Sequence, residues 1–302
     1  MVISNSKNGW FKQTLRRIFG KQPKTIIFNI VLYFLFLLFL VSMLSPFLYV
    51  LVVSFQQKIV EGATSHIAFG LGAYEYVFGN IYIVRAFFNT IGVVIIGTLV
   101  ALAITMTGAY ALSKTWLRGR KALLIFVLIT MLFSGGLIPY YLLIKSLGLR
   151  DSYLVYICVG AVSAFNVFIV KNFYQGIPLD MEESAKIDGA NEFQIFYMIY
   201  LPLSKAIIAT VALWVAVAKW NDYMTGLLYI DDKNKLLIQN VLRSMLVTAS
   251  STSGVGGDSN TLSLSESIKM AAVVVALVPI ICVYPFVQKY FTKGVMLGAL
   301  KG

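Results

Sequence analysis

Six long apolar segments constrain this chain more than any other feature of its sequence. They are Ile26 to Phe55, Ala86 to Ser113, Ala122 to Leu147, Tyr153 to Phe173, Ala206 to Tyr229 and Ile268 to Tyr290. A helix needs about 20 predominantly apolar residues to cross a bilayer, and each segment meets that length. Of the 302 residues, 59% are hydrophobic and only 13% are charged. The sequence therefore predicts an all-α polytopic membrane protein with about six transmembrane helices.

Basic residues gather on one side of these spans. Residues 1–25 carry six lysines and arginines and no acidic residue, and the link between the second and third spans contains Lys114, Arg118, Arg120 and Lys121. Because cytoplasmic loops of membrane proteins collect Lys and Arg, both chain termini are predicted to lie inside. This bias also accounts for the net charge of +12, so a nucleic-acid partner is not expected.

This topology predicts a short basic cytoplasmic segment, 1–25, followed by one transmembrane domain, 26–302. Two extracytoplasmic loops fall at 56–85 and 230–265, and a cytoplasmic tail at 291–302. The first loop is long enough to fold locally. The Ser/Thr/Gly-rich composition of residues 248–265 favours flexibility over a packed element.

The segment from Ile177 to Leu203 is polar and rich in carboxylates, although it lies between two apolar runs. It contains two short helix signatures, Asp180 followed by Glu183 and Asn191 followed by Gln194. Each pair has the spacing of a capping box, in which the two residues satisfy amide groups at the start of a helix. We therefore expect two short helices on the cytoplasmic side.

A glycine and four aromatic residues complete the prediction for this segment. Gly189 lies where a turn between the helices needs a residue that tolerates positive φ. Phe193, Phe196, Tyr197 and Tyr200 recur at helical spacing, which predicts one aromatic stripe. Such a stripe requires a groove to bind in.

The run from Glu183 to Ala190, followed by Leu201-Pro202, resembles the EAA loop (EAAxxDGA…LP) of permease subunits in binding-protein-dependent ABC importers. Ser184 stands where the family has its first alanine. Tyr284 to Gly302 resembles the carbohydrate branch of that family, which includes the maltose-type importers. Ser134 to Pro139 resembles its subgroup for complex oligosaccharides.

This resemblance implies the type I ABC importer permease fold, in which the loop forms a coupling helix that lies in a cleft of an ATPase subunit. The implied coupling residues are Glu183, Ser184, Ala185, Asp188, Gly189, Ala190, Phe193, Leu201 and Pro202. The implied partners are a second, paralogous permease, an ABC ATPase dimer and an extracytoplasmic sugar-binding protein. The tail 293–302 resembles one that reaches between the ATPase subunits. No cofactor is expected on this chain, and ATP and Mg would bind in the partner ATPase.

The chain lacks the sequence patterns of common active sites. It contains no G-x-x-x-x-G-K-[ST], no H-E-x-x-H, no G-x-S-x-G and no Cys/His metal pattern, so neither ATP hydrolysis nor any catalytic or metal site is expected here.

The adjacent carboxylates Glu182-Glu183 and Asp231-Asp232 are interpreted as solvated. Lys171 and Lys219 lie near span ends, where they can snorkel towards water. Almost no ionisable residue remains inside the spans, which argues against an ion-coupled carrier.

Sugars expose apolar C–H faces and many hydroxyl groups, so aromatic and amide side chains at membrane depth are candidate substrate contacts. These are Tyr140, Asn166, Trp214, Trp220, Asn221 and Tyr223. Interfacial Trp and Tyr also form the aromatic belt of most membrane proteins, which is the alternative interpretation. The other permease subunit could equally hold the substrate.

Two further patterns concern helix packing. Gly97, Ala101, Thr105, Ala109 and Ser113 recur every four residues and predict a small-residue face for close helix contact. Ser134-Gly135-Gly136 and Pro139 interrupt the third span and predict a bend, either along a transport path or as a packing kink.

The function predicted from these observations is import of a carbohydrate, an oligosaccharide, across the bacterial cytoplasmic membrane. Within the ABC class, an amino acid, peptide or phosphate substrate remains an alternative. An ion-coupled carrier and a membrane enzyme or assembly scaffold are the alternatives from other classes.

Overall fold

The computed structural model describes residues 23–61, 64–252 and 266–282. The chain divides into two compact units, Met1–Val53 and Ser54–Gly302. The described part of the first unit belongs to helix α1, Pro23–Ser54, which contains Pro46. Its stretch Phe28–Ser54 is long and apolar enough to cross a membrane, as predicted for the first span.

The second unit begins with a hairpin of strands β1, Gln56–Glu61, and β2, Thr64–Phe69, followed by helix α2, Gly72–Gly79. The strands pair antiparallel, with Gln56 opposite Phe69 and Glu61 opposite Thr64. The loop 56–85 therefore folds locally, as its length predicts.

The long helix α3, Ile81–Ser113, is the centre of the second unit. It begins at Asn80, whose side chain accepts hydrogen bonds from the amides of Tyr82 and Ile83. The predicted small-residue face is buried along its whole length and packs against helices α7, Ala164–Gln175, and α11, Lys205–Trp220. Small side chains let these helix backbones approach closely, so the packing prediction is confirmed.

Two predicted spans are interrupted helices. The third consists of α4, Arg120–Leu132, and α5, Leu137–Ser146, which meet at 115°. Gly136 has a φ of 84° at the break, so the predicted bend is present. The fourth is divided into α6, Tyr153–Cys158, and α7, where the sequence predicted one continuous helix. Gly160, with a φ of 69°, lies in this second break.

The remaining elements run from the coupling segment, residues 177–203, to the end of the described chain. They are α8 Leu179–Ile187, α9 Glu192–Ile195, a π-helical turn Phe196–Tyr200, α10 Leu201–Leu203, α11, α12 Met224–Tyr229, a 3-10 turn Lys233–Lys235, α13 Ile238–Thr252 and α14, 266–282. The predicted fifth span thus ends at Trp220 rather than at Tyr229. Residues 248–252, predicted to be flexible, belong to α13, whereas 253–265 and the tail 291–302 lie outside the described residues.

Among the described residues, two helices are long and apolar enough to cross a membrane, Phe28–Ser54 and Ile81–Ser113. Two bent pairs, α4 with α5 and Glu192–Leu203 with α11, raise that number to four if each pair is one span. The largest buried cluster joins α3, α7, the π-helical turn and α11, and it includes Met106, Val170, Tyr174 and Val211. The coupling segment is therefore attached directly to the centre of the fold.

Candidate functional site

Helix α8 begins differently from the predicted capping box. Its N-cap is Pro178, with no side-chain cap, and Asp180 and Glu182 occupy the first turn. The prediction of a capping box between Asp180 and Glu183 is therefore wrong. Acidic residues in a first turn instead stabilise the helix through its dipole. The hydroxyl of Ser184 donates to the carbonyl of Asp180 at 2.8 Å, so the serine is accommodated within the helix.

The turn after α8 follows the sequence prediction closely. Gly189 has a φ of 85°, the left-handed conformation in which a side chain would be strained. The amide of Ala190 then donates to the carbonyl of Ala185 at 2.9 Å and closes the helix end. Asn191 and Gln194 form the predicted capping box, with backbone-to-side-chain bonds of 2.8 and 2.9 Å.

Glu182 is the most buried acidic side chain of the coupling segment. Its carboxylate accepts hydrogen bonds from Lys114 at 2.5 Å, Lys186 at 2.8 Å and the Tyr200 hydroxyl at 2.9 Å. Burial alone would raise the pKa of Glu182, but these three donors outweigh it and lower the pKa to about 2. The interpretation of Glu182-Glu183 as a solvated pair is therefore wrong for Glu182.

A second carboxylate extends this arrangement. Glu192 accepts from the Tyr110 hydroxyl at 2.7 Å and lies 3.0 Å from the ammonium of Lys186. Burial opposes ionisation of Glu192, but these two partners lower its pKa. The pKa of Lys186 is raised by its bonds to Glu182 and Glu192.

We call Tyr110, Lys114, Glu182, Lys186, Glu192 and Tyr200 the anchor cluster. Lys114 follows directly on the last residue of α3, and Tyr110 belongs to its last turn. The cluster therefore fastens the coupling segment to the end of the central helix.

The four aromatic residues of the coupling segment do not form one stripe. Phe196 and Tyr200 are buried, with ring centroids 5.0 and 4.9 Å from that of Tyr110, whereas Phe193 is 73% exposed and Tyr197 63% exposed. Residues four apart share a helix face, so each pair stays together, but the π-helical turn Phe196–Tyr200 changes the periodicity between them.

The exposed residues of the coupling segment include four large apolar side chains. Ile187 is 86% exposed and Met198 67% exposed, together with Phe193 and Tyr197. We call these four side chains the outer face. Several large apolar side chains exposed within one short polar segment indicate a site of protein–protein contact.

The predicted coupling residues divide between the two sides of the segment. Glu183, Ser184, Asp188, Gly189, Phe193 and Pro202 are exposed, whereas Ala185, Ala190 and Leu201 are partly buried and pack on the central cluster. Sequence reasoning missed the whole anchor cluster. The available signals were Lys114 at the end of the second span and the helical spacing of Glu182 and Lys186.

The structure brings two of the six candidate substrate residues together. Asn221 and Tyr223 line an open cavity of about 660 Å³ with Arg243. The other four lie elsewhere: Trp220 packs edge-on against Phe87, Trp214 lies near Phe165, Asn166 is buried in α7 and Tyr140 is exposed on α5.

Lys219 does not snorkel. Its side chain is 4% exposed, and its ammonium donates to the carbonyls of Tyr156 at 2.5 Å, Val159 at 2.6 Å and Ile157 at 3.4 Å. These carbonyls are at the carboxyl end of α6, where helix carbonyls lack partners and carry partial negative charge. Lys219 therefore joins α11 to the break between α6 and α7, a structural role for a buried charge.

A family model described as the inner membrane component of binding-protein-dependent transport systems matches residues 119–297, which include the coupling segment. The chain belongs to this family. It is accordingly a non-enzymatic transport subunit of the bacterial inner membrane, and the predicted membership of the ABC permease family is confirmed.

Individual relatives cover almost the whole chain. The polygalacturonan/rhamnogalacturonan transport system permease protein YtcP of Bacillus subtilis is 43% identical over 288 residues, 92% of this chain and 100% of the relative. Protein LplC of the same organism is 44% identical over 263 residues, covering 85% of this chain and 89% of the relative.

A chain in the crystal structure of a bacterial ABC transporter involved in the import of the acidic polysaccharide alginate has the same fold. The TM-score is 0.80 at 29% identity, covering 90% of this chain and 99% of that chain. The predicted all-α polytopic permease fold of the ABC importer family is thereby confirmed.

Proposed function

We propose that this chain is one of two permease subunits of an ABC importer that carries an oligosaccharide into the bacterial cell. The polysaccharide substrates of YtcP and of the alginate transporter support a carbohydrate. In the proposed assembly, a separate ATPase dimer binds and hydrolyses ATP with Mg. An extracytoplasmic binding protein delivers the sugar to the loops 56–85 and 230–265.

One observation carries the proposed coupling: the segment 177–203 is fixed to the protein through the anchor cluster, while four large apolar side chains of the same segment stay exposed. The anchor cluster provides the fixed side through the buried pair of Glu182 and Lys114. The outer face provides a surface of large apolar side chains that a groove in an ATPase subunit would cover. A peripheral segment without a partner would not need such a surface.

The path from this segment into the protein is short and rigid. The helical stretch Glu192–Leu203 meets α11 at an 81° bend next to Ser204, whose amide donates to the carbonyls of Tyr200 and Leu201 at 3.1 Å. Helix α11 packs along α3, and the anchor cluster fastens the segment to the end of α3. A displacement of the outer face would therefore move both helices together rather than bend a loop.

Transport assays in proteoliposomes test this function. We expect no sugar uptake when the chain is reconstituted alone, and ATP-dependent uptake when the second permease, the ATPase and the binding protein are added. Ionophores should leave that uptake unchanged. Uptake by the chain alone that an ionophore abolishes would instead identify an ion-coupled carrier.

A further inference from the structure

The cavity beside Tyr223 has one charged side chain among its described lining residues, that of Arg243. Its guanidinium carbon lies 4.3 Å from the centroid of the Tyr223 ring, so a cation–π contact holds the guanidinium over the ring. Among the residues that the structure describes, no carboxylate pairs with Arg243. Within the described part of the chain, the guanidinium N–H groups of Arg243 are thus not paired with a carboxylate and can bind an anion.

The rest of the cavity suits a sugar. Asn221 uses its amide nitrogen to donate to the carbonyl of Val217 at 2.9 Å, which leaves its amide oxygen as an acceptor. The side chain of Gln239 makes no hydrogen bond within the described part of the chain. Val273, Leu277 and Ile280 supply an apolar wall for the C–H face of a pyranose. A volume of about 660 Å³ lies within the range of about 300–1,000 Å³ typical of small-molecule sites.

In the proposed topology the cavity lies on the extracytoplasmic side, where a substrate enters the permease. Its lining comes from α13, α14 and the residues directly after α11, at the end of α11 opposite the coupling segment. The 16 residues of α11 separate the two sites by about 24 Å along the helix axis. One end of this helix therefore faces the proposed ATPase, and the other end opens into the cavity.

From these observations we propose that the cavity is a binding site for an acidic oligosaccharide, in which Arg243 binds the carboxylate of a uronic acid unit. This inference rests on the proposed sugar-import function and names its substrate class. A guanidinium matches a carboxylate in a bidentate pair, and the pair is strong where water is partly excluded. Tyr223 orients the guanidinium, and the amides of Asn221 and Gln239 bind ring hydroxyls. The alginate transporter and YtcP, whose names specify polysaccharides with acidic units, are consistent with this choice.

The test uses the assembled permease–ATPase complex and two matched pairs of sugars. Trimers of galacturonate and of mannuronate are compared with their neutral methyl esters, by calorimetric titration of the purified permease–ATPase complex without binding protein. We expect Arg243→Gln to weaken binding of an acidic trimer by about tenfold or more, the size typical of a charged hydrogen bond. The methyl ester of the same trimer should bind the wild type and the Arg243→Gln variant equally weakly. Arg243→Lys, which keeps the charge but loses the fork, should bind with intermediate affinity.

Arg150→Gln is the matched control, because Arg150 is also an exposed arginine but pairs with Asp231 outside the cavity. It should bind like the wild type. Equal affinity of wild type and Arg243→Gln for both acidic trimers, or no binding at all, would overturn the proposal. A loss of the second permease from the purified Arg243→Gln complex would also overturn it, because the cavity would then be a subunit interface.

Uptake by cells that produce the importer separates the two proposals. If the wild type imports a neutral oligosaccharide and no uronate, the acidic site is wrong and the import function stands. If it imports no sugar of either kind, the import function fails and the acidic site fails with it. Import of a uronate trimer that falls with Arg243→Gln, and remains with Arg150→Gln, supports both.

Discussion

The ammonium of Lys114 lies 2.5 Å from a carboxylate oxygen of Glu182, and both side chains are more than nine-tenths buried. This pair joins the end of the central helix α3 to the coupling helix α8. A buried ion pair of this kind adds little stability by itself, but removing one partner leaves a charge without compensation. The pair therefore specifies where the coupling segment is held.

Lys114→Met should lower the free energy of unfolding by about 3 kcal/mol. This is near the lower end of the loss expected when a buried ion pair is broken, because Lys186 and Tyr200 still bind Glu182. The double variant Lys114→Met/Glu182→Met should recover most of that loss. Thermal unfolding of the detergent-solubilised importer measures both effects. Lys145→Met, which replaces an exposed lysine on α5, is the control and should leave the midpoint unchanged. If the losses of stability from the two single substitutions simply add in the double variant, the two side chains act independently.

The stability of the coupling segment should depend on pH through Glu182. Its pKa is lowered from 4.5 to about 2, so the ionised carboxylate contributes stability that is complete above pH 4.5 and is lost as pH falls through about 2. The difference in thermal midpoint between wild type and Glu182→Gln should therefore be constant from pH 7 to 5.5 and shrink below 4.5. Glu183→Gln, a change at an exposed neighbour, should not change the midpoint. A difference that stays flat down to pH 3 would contradict this account.

Phe193→Ser should reduce association with the ATPase without unfolding the permease, because Phe193 is 73% exposed and contributes to the outer face. Phe69→Ser is a matched control for copurification of the ATPase, since Phe69 is also 73% exposed but belongs to the hairpin, in the loop proposed to contact the binding protein. Copurification of the ATPase and ATP-driven sugar uptake are the two readouts. We expect both to fall about tenfold or more for Phe193→Ser, the loss typical of a central interface aromatic. Normal copurification with this variant would show that the outer face does not bind the ATPase.

Lys219→Met should destabilise the break between α6 and α7, because the carbonyls of Tyr156 and Val159 lose their donor at a buried position. The expected cost is about 1–3 kcal/mol, the penalty for leaving a buried polar group unsatisfied. Lys171→Met is the control, since Lys171 is only half-buried and bonds to the neighbouring Asn172 at 3.2 Å. Equal unfolding midpoints for the two variants would contradict the role assigned to Lys219.

Local features of the chain followed directly from its residues. The Asn191–Gln194 capping box, the positive φ of Gly189 and the bend at Gly136 each depend on the chemistry of a few adjacent residues. The small-residue face of α3 was equally predictable, because helical periodicity alone brings its members together. The failed Asp180 cap shows the limit of such reasoning, since Pro178 started the helix two residues earlier.

The amino-acid sequence by itself determined that this protein is a predominantly helical membrane permease, and it singled out the segment that we propose to meet the ATPase. Apolar length, charge bias and the EAA pattern are properties of the linear chain and require no contact between distant residues. Only the tertiary structure decided that Glu182 is buried on Lys114, 68 residues away, that Lys219 binds the end of α6, and that Arg243 lies over Tyr223. Each of these depends on the burial and the approach of groups from separate helices, which no local pattern specifies.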